Sequence, residues 1–205
     1  MASLSVDMAT KIQSVHASNA FSTTVTITKA GIYLIVIARG STTPVVTVGG
    51  VVQATVAPTL ADFLIYTTAV NPGSLTISIS ATTGIRAFGG VEICDTPGVA
   101  NSASVTNNDV ISFTPSVGDL VITAVRRYHD NSVIDITVPT GFTQIVGARH
   151  TSGDASTNCS IGYILSPGTG TRTIQWNPTN MDTTARVMAM DFSLPVGGGG
   201  SVVWW

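Results

Sequence analysis

Apolar and small polar residues alternate with a period of two along most of this chain, as in Val25-Thr-Ile-Thr and Leu75-Thr-Ile-Ser-Ile-Ser. That period puts every second side chain on one face of a strand, and it is incompatible with an amphipathic helix over the same stretch. Ile32-Tyr-Leu-Ile-Val-Ile-Ala is instead an unbroken apolar run, the pattern of a strand covered on both faces. Val45–Val48, Val51–Val56 and Phe63–Tyr66 read as further short strands. Gly49-Gly50, Asn71-Pro72-Gly73, Thr83-Gly84 and Gly89-Gly90 read as turns between them. The second half has the same patterning. Strands are predicted there at Ile111–Phe113, Gly118–Arg126, Val133–Val138, Gly141–Val146, Cys159–Leu165, Thr171–Trp176 and Ala185–Leu194. Short strands with punctuation every 8–12 residues predict an all-β sandwich or barrel.

Composition narrows the class. Charged residues make up 10% of the 205 and apolar ones 44%, while Thr (30) and Ser (20) supply the polarity. Disordered chains pair low hydrophobicity with high net charge, and this chain shows neither. Nine basic against eleven acidic residues leave −2, with no basic stripe for nucleic acid. No apolar run approaches the roughly 20 residues of a membrane-spanning helix. Residues 1–11 show no basic region followed by an apolar one, so no secretory signal peptide is expected. Cys94 and Cys159 are too few for a disulfide framework and are expected as buried, unpaired thiols.

The two halves can be laid over each other. Gly31–Arg39 matches Gly118–Arg126, Tyr66 matches Tyr163 ahead of Leu75-Thr-Ile and Arg172-Thr-Ile, and Ile85–Phe88 matches Ala185–Met188. The expectation is two tandem β-sandwiches, jelly-roll-like or immunoglobulin-like, from an internal repeat. The divisions are a leader over 1–20 (an arm or a first strand), a first sandwich over 21–97, a second over 98–195, and a Gly-rich tether with a hydrophobic end over 196–205. The linker between sandwiches is placed at Asp95–Ser104, rich in small and turn-forming residues.

Catalytic chemistry finds little purchase. There is no Gly-x-Ser-x-Gly elbow and no phosphate-cradling glycine motif. His129-Asp130, and His150 with Asp154, are the nearest approach to a triad fragment, and solvated loop polarity explains them equally well. Arg127, His129, Asp130, His150 and Asp154 are therefore kept as a candidate ligand loop. Asp130, Asp135, Asp154 and Asp182 lack the clustering of a calcium motif. No enzymatic activity, cofactor or metal is expected. Arg126, Arg127, Arg149 and Arg172 are candidates for an anion or a subunit contact. Trp176, in phase with Ile174, reads as core rather than as a sugar-stacking platform. Val202, Val203, Trp204 and Trp205 are candidate partner-binding residues, because two Trp on a glycine tether need a surface to cover them.

Gly118-Asp-Leu-Val-Ile, Gly141-Phe-Thr, Tyr163, Ser166-Pro-Gly-Thr-Gly-Thr171 and Val187-Met-Ala-Met-Asp-Phe192 resemble repeats in virion proteins of tailed bacteriophages. The first half lacks the Gly-Phe-Thr element. The resemblance implies a non-enzymatic head-decoration or capsid-surface protein, made in the host cytoplasm and resident in the virion. Its partners would be major capsid or tail subunits and further copies of itself, with no nucleic acid and no membrane. The alternative is a carbohydrate- or receptor-binding module of a tail fibre or adhesin, with a host glycan as ligand.

Overall fold

A computed structural model describes residues 4–14, 20–38, 43–56, 63–81, 87–95, 97–129, 136–152, 155–177 and 185–194, and every regular element among them is a strand. The first half supplies β1 (Ser5–Ser14), β2 (Phe21–Ile27), β3 (Gly31–Ala38), β4 (Val46–Val48), β5 (Val51–Val52), β6 (Phe63–Val70), β7 (Gly73–Ile79) and β8 (Ala87–Cys94). The second supplies β9 (Gly98–Thr106), β10 (Val110–Phe113), β11 (Leu120–His129), β12 (Thr143–Ser152), β13 (Ala155–Leu165), β14 (Arg172–Gln175) and β15 (Arg186–Ser193). They form four antiparallel sheets: I (β2-β7-β4-β5), II (β1-β8-β3-β6), III (β12-β13-β11-β15-β9) and IV (β10-β14). Among the described residues no ladder joins a strand of the first half to one of the second.

The all-β sandwich class is as the alternation predicts. Three apolar clusters then order the sheets into layers. Tyr33, Ile35 and Ile37 of β3 pack with Val46, Val48, Ile77 and Ile79 of sheet I. Val121 and Val125 of β11 pack with Ile111, Phe113 and Ile174 of sheet IV. The third cluster joins the halves: Leu34 and Val36 of β3 and Val91 and Ile93 of β8 meet Ile122 of β11, Ile161 of β13 and Met190 of β15. The stack is therefore I on II on III on IV. This explains the unbroken apolar run: all eight residues of β3 are buried, with odd positions facing sheet I and even positions facing sheet III.

The strand order of sheet II recurs in four of the five strands of sheet III. Sheet II reads β1-β8-β3-β6 and sheet III, from its far edge, reads β9-β15-β11-β13-β12, while β2 pairs β7 as β10 pairs β14. The glycine landmarks are not conformationally equivalent. Gly31 opens β3 with no room for a side chain beside the Ile93 carbonyl, whereas Gly118 lies in a loop at φ +76°.

Four sequence-based assignments change. Gly89-Gly90, expected as a turn, lies inside β8, where Gly89 lets sheet III approach and Gly90 makes room for Tyr33 and Ile12 of its own sheet. Most of the expected linker is strand β9, held by its ladder to β15 despite its small residues. Val51–Val56 shortens to the two residues of β5, because the chain turns and the Val56 N–H donates to the Ile65 carbonyl at 2.9 Å. Of the strand expected at Val133–Val138, the described part is an isolated bridge from Thr137 to Asn177. Within the leader, Ser5–Ser14 is a first strand, paired to β8 with a register shift between Asp7 and Ile12. Thr10 pins that irregularity: its hydroxyl donates to the Asp7 carbonyl and accepts the Glu92 N–H, and its carbonyl accepts the Tyr33 hydroxyl at 2.7 Å.

Both cysteines are free and buried, as expected. Cys159 sits in the core between sheets II and III, and burial pushes its thiol from 9.0 to about 12. Burial also raises Cys94, whose thiol donates to Glu92 Oε1. Neither thiol should react with iodoacetamide at pH 8 in the folded chain, and both should react in denaturant; mass spectrometry reads the difference. Above pH 9 the unfolded chain releases the Cys159 proton while the folded chain retains it. Stability should therefore fall by about 1.4 kcal/mol per pH unit toward pH 12, a slope that Cys159→Ala removes from urea titrations.

Candidate functional site

The alternation that buries one face of each outer sheet leaves the other to solvent. On sheet I the outward positions are Ser22, Thr24 and Thr26 of β2 and, directly opposite, Ser78, Thr76 and Ser74 of β7. Their hydroxyls pair across the ladder: Ser22 with Ser78 at 2.9 Å and Thr24 with Thr76 at 3.2 Å. Thr47 of β4 and Val52 of β5 extend the Ser22–Ser78 row. Sheet IV repeats the device. Ser112 lies opposite Thr173, and just beyond the ladder the Thr114 and Thr171 hydroxyls meet at 2.7 Å. The outward strand positions of both outer layers thus carry no charge. The sequence signal for this surface is Ser22-x-Thr-x-Thr26 and Ser74-x-Thr-x-Ser78, the polar half of an alternation whose apolar half defines the strands.

Seven large apolar residues are exposed among those described, and they fall in two groups. Val45, Val51, Val52 and Val56 surround the β4–β5 hairpin at the free edge of sheet I, within a stretch (40–61) that has no charged residue. Val99, Val117 and Leu165 lie at one end of sheet III. Unprotected edges of this kind offer backbone and apolar surface to a neighbour.

Carboxylates inside the body hold loops. Asp191, fully buried on β15, accepts the Val117 N–H at 2.8 Å, the Gly118 N–H at 3.2 Å and the Ser116 hydroxyl at 3.2 Å. The left-handed backbone of Gly118 helps two successive N–H groups converge on that carboxylate. Glu92, also fully buried, lies beside Tyr33. Its charge adds to burial in raising the Tyr33 hydroxyl far above its ordinary value. Among the described residues no three His, Cys, Asp or Glu side chains are placed to hold a metal ion.

Three of the five candidate ligand residues lie on strands. Arg127 and His129 belong to β11 and His150 to β12, while Asp130 and Asp154 lie outside the described residues. By register His129 pairs with Ser156 and His150 with Thr157. Arg127 is buried, and the Arg172 guanidinium donates to the Pro167 carbonyl of its own chain. Trp176 is fully buried, and its indole N–H donates to the Thr123 hydroxyl at 3.3 Å. It is core, as its phase predicts. Val202, Val203, Trp204 and Trp205 lie outside the described residues.

Comparison with family models, with curated proteins and with solved structures returns no match.

Proposed function

We propose that this chain is a non-enzymatic structural protein of a tailed-phage particle. It would be a head-decoration or capsid-surface subunit that works by lying against other virion proteins and further copies of itself. The observation that carries this reading is the uncharged, hydroxyl-lined outward face on both outer layers. Covering a charge costs several kcal/mol unless it is paired, whereas hydroxyls bonded to one another leave fewer unmet donors when water is excluded. A duplicated sandwich accounts for two such faces, since β2 and β7 occupy in the strand order the places of β10 and β14. The uncharged valine edge beside β5 supports the same use. The glycan-binding alternative draws no support from Trp176, which the core encloses.

Particle composition tests the proposal. The full chain, expressed with the remaining virion proteins, should band with particles in a density gradient. Thr24→Lys/Thr76→Lys places two cations on the sheet I face and should remove the protein from that band with little change in melting temperature. Deletion of residues 196–205 should do the same. A particle band that lacks the unaltered chain overturns the reading.

A further inference from the structure

Ladder register places four apolar residues in one row across sheet III. Leu165 pairs with Leu120, Leu120 with Phe192, and Phe192 with Val99. Directly paired residues share a face, and Leu120 and Phe192 belong to the core that meets sheet II. Both are fully buried, yet the row emerges at its two ends, with Leu165 42% and Val99 43% exposed. Val117, 42% exposed, stands at the same end, in the loop that Asp191 holds and that the Ser166 N–H reaches through the Asp119 carbonyl. Leu194, half-buried against the same core, continues the phase of Phe192, and its N–H donates to Asp119 Oδ2. The described chain ends there, in the middle of the rim.

The next eleven residues are Pro195-Val-Gly-Gly-Gly-Gly-Ser-Val-Val-Trp-Trp205. Seven lead to Val202, and four successive glycines among them permit a reversal that side-chain-bearing residues resist. Val202–Trp205 spans about 13 Å when extended, against about 14 Å for the three strand spacings from Leu165 to Val99. No side chain of Val202–Trp205, Leu165, Val99 or Val117 carries a charge, so their contact buries apolar surface without stranding a charged side chain. A short tether also holds its end at an effective concentration on the order of millimolar, above that of any second copy in dilute solution.

We propose that Val202–Trp205 seats on the rim formed by Leu165, Val99 and Val117 of its own chain. The contact shields an apolar rim and two Trp in the isolated protein. Exchange of the same segment between copies is the low-cost route by which it would join subunits. The proposal goes beyond the particle reading and does not rest on it.

Acrylamide quenching of the full chain tests it. Trp176 is fully buried and supplies a protected background, and Trp204→Phe/Trp205→Phe assigns the remaining signal. The two Trp of the segment should be shielded, and the shielding should survive roughly a hundredfold dilution, as an intramolecular contact requires. Leu165→Ser/Val99→Ser/Val117→Ser should bring their quenching up to that of free tryptophan while Trp176 stays protected, which also shows that the variant is folded. Should Trp176 become quenchable, the loop variant Val117→Ser alone replaces it, with a partial loss of shielding expected. Free quenching in the parent, shielding that persists in the rim variants, or shielding lost on dilution each overturn the proposal. Particle incorporation is a separate readout, so either proposal can fail alone.

Discussion

Gly89→Ala is expected to destabilise the whole chain by about 1–3 kcal/mol, and Val146→Ala in the same chain to recover a substantial part of that loss. A Cβ on Gly89 would stand 2.5 Å from Val146 Cγ2, 3.0 Å from Val146 Cβ and 2.8 Å from Ile161 Cδ1. Gly89 is on β8 of sheet II, and its two neighbours are on β12 and β13 of sheet III. The Ile161 methyl is the far end of a side chain and can rotate away. Val146 Cγ2 lacks that freedom because a β-branched side chain is stiff at χ1, so the sheets must separate and the dispersion contacts around the glycine weaken. Truncating Val146 alone opens a small cavity and is itself destabilising. Its partial rescue of Gly89→Ala is therefore a coupling energy, expected above about 0.5 kcal/mol because the two residues touch. Urea unfolding of the two single variants and the double variant completes the cycle. Strictly additive effects would mean that the halves do not share this interface.

The same interface bears on the proposed use as a particle subunit. Two sandwiches joined by a linker would move independently, whereas a core shared by sheets II and III makes both outer faces parts of one body. Unfolding should be a single transition for the same reason. A body whose described outward strand positions carry no charge on either outer sheet can hold two neighbours at a fixed separation.

Much of this is legible in the sequence, and the exceptions share a cause. The alternation of β2 and β7 and the unbroken run of β3 specify one buried face and two buried faces respectively. Those are local patterns, and the structure follows them. Gly89-Gly90 misleads because a glycine pair has the same local signature whether the chain turns or another layer presses on it. The residue that distinguishes the two cases, Val146, lies in the other half. β9 escapes because Gly98–Ser104 has little apolar content of its own, and its strand conformation comes from pairing with β15. β1 is ambiguous because the shift between Asp7 and Ile12 reverses the phase of its apolar residues. Leu4 and the partly buried Val6 and Met8 face sheet III, while Ile12 faces sheet I. The candidate surface is hidden differently: its Thr and Ser are visible, but which strands lie outermost is decided by the stacking of sheets, not by any one of them.

Asp191→Ala should cost about 3–4 kcal/mol, a large share of the 5–15 kcal/mol by which ordinary domains are stable. The carboxylate is fully buried and holds the loop entering β11 through two N–H groups and one hydroxyl. Removing it leaves the Gly118 N–H, and in part that of Val117, without an acceptor where water has little access, and those unmet donors dominate the loss. Asp191→Asn should cost less, about 1.5–2 kcal/mol, since one amide oxygen still accepts while the NH2 group faces donors. Ser116→Ala deletes a single bond from the exposed side of the loop and should cost under about 1 kcal/mol. Gly118→Ala should approach the Asp191→Ala loss, because φ of +76° disfavours a side chain and the added Cβ would stand 2.4 Å from the Gly168 backbone. That ranking places the buried carboxylate and the left-handed glycine above the hydroxyl, and thermal melts of the four variants measure it. The two heaviest losses fall on Gly118 and Asp191, which are far apart in the sequence and meet only in the fold. If Asp191→Ala melts within a degree or two of the parent, the loop is held by its own turns and the coupling of those residues is not what fixes it.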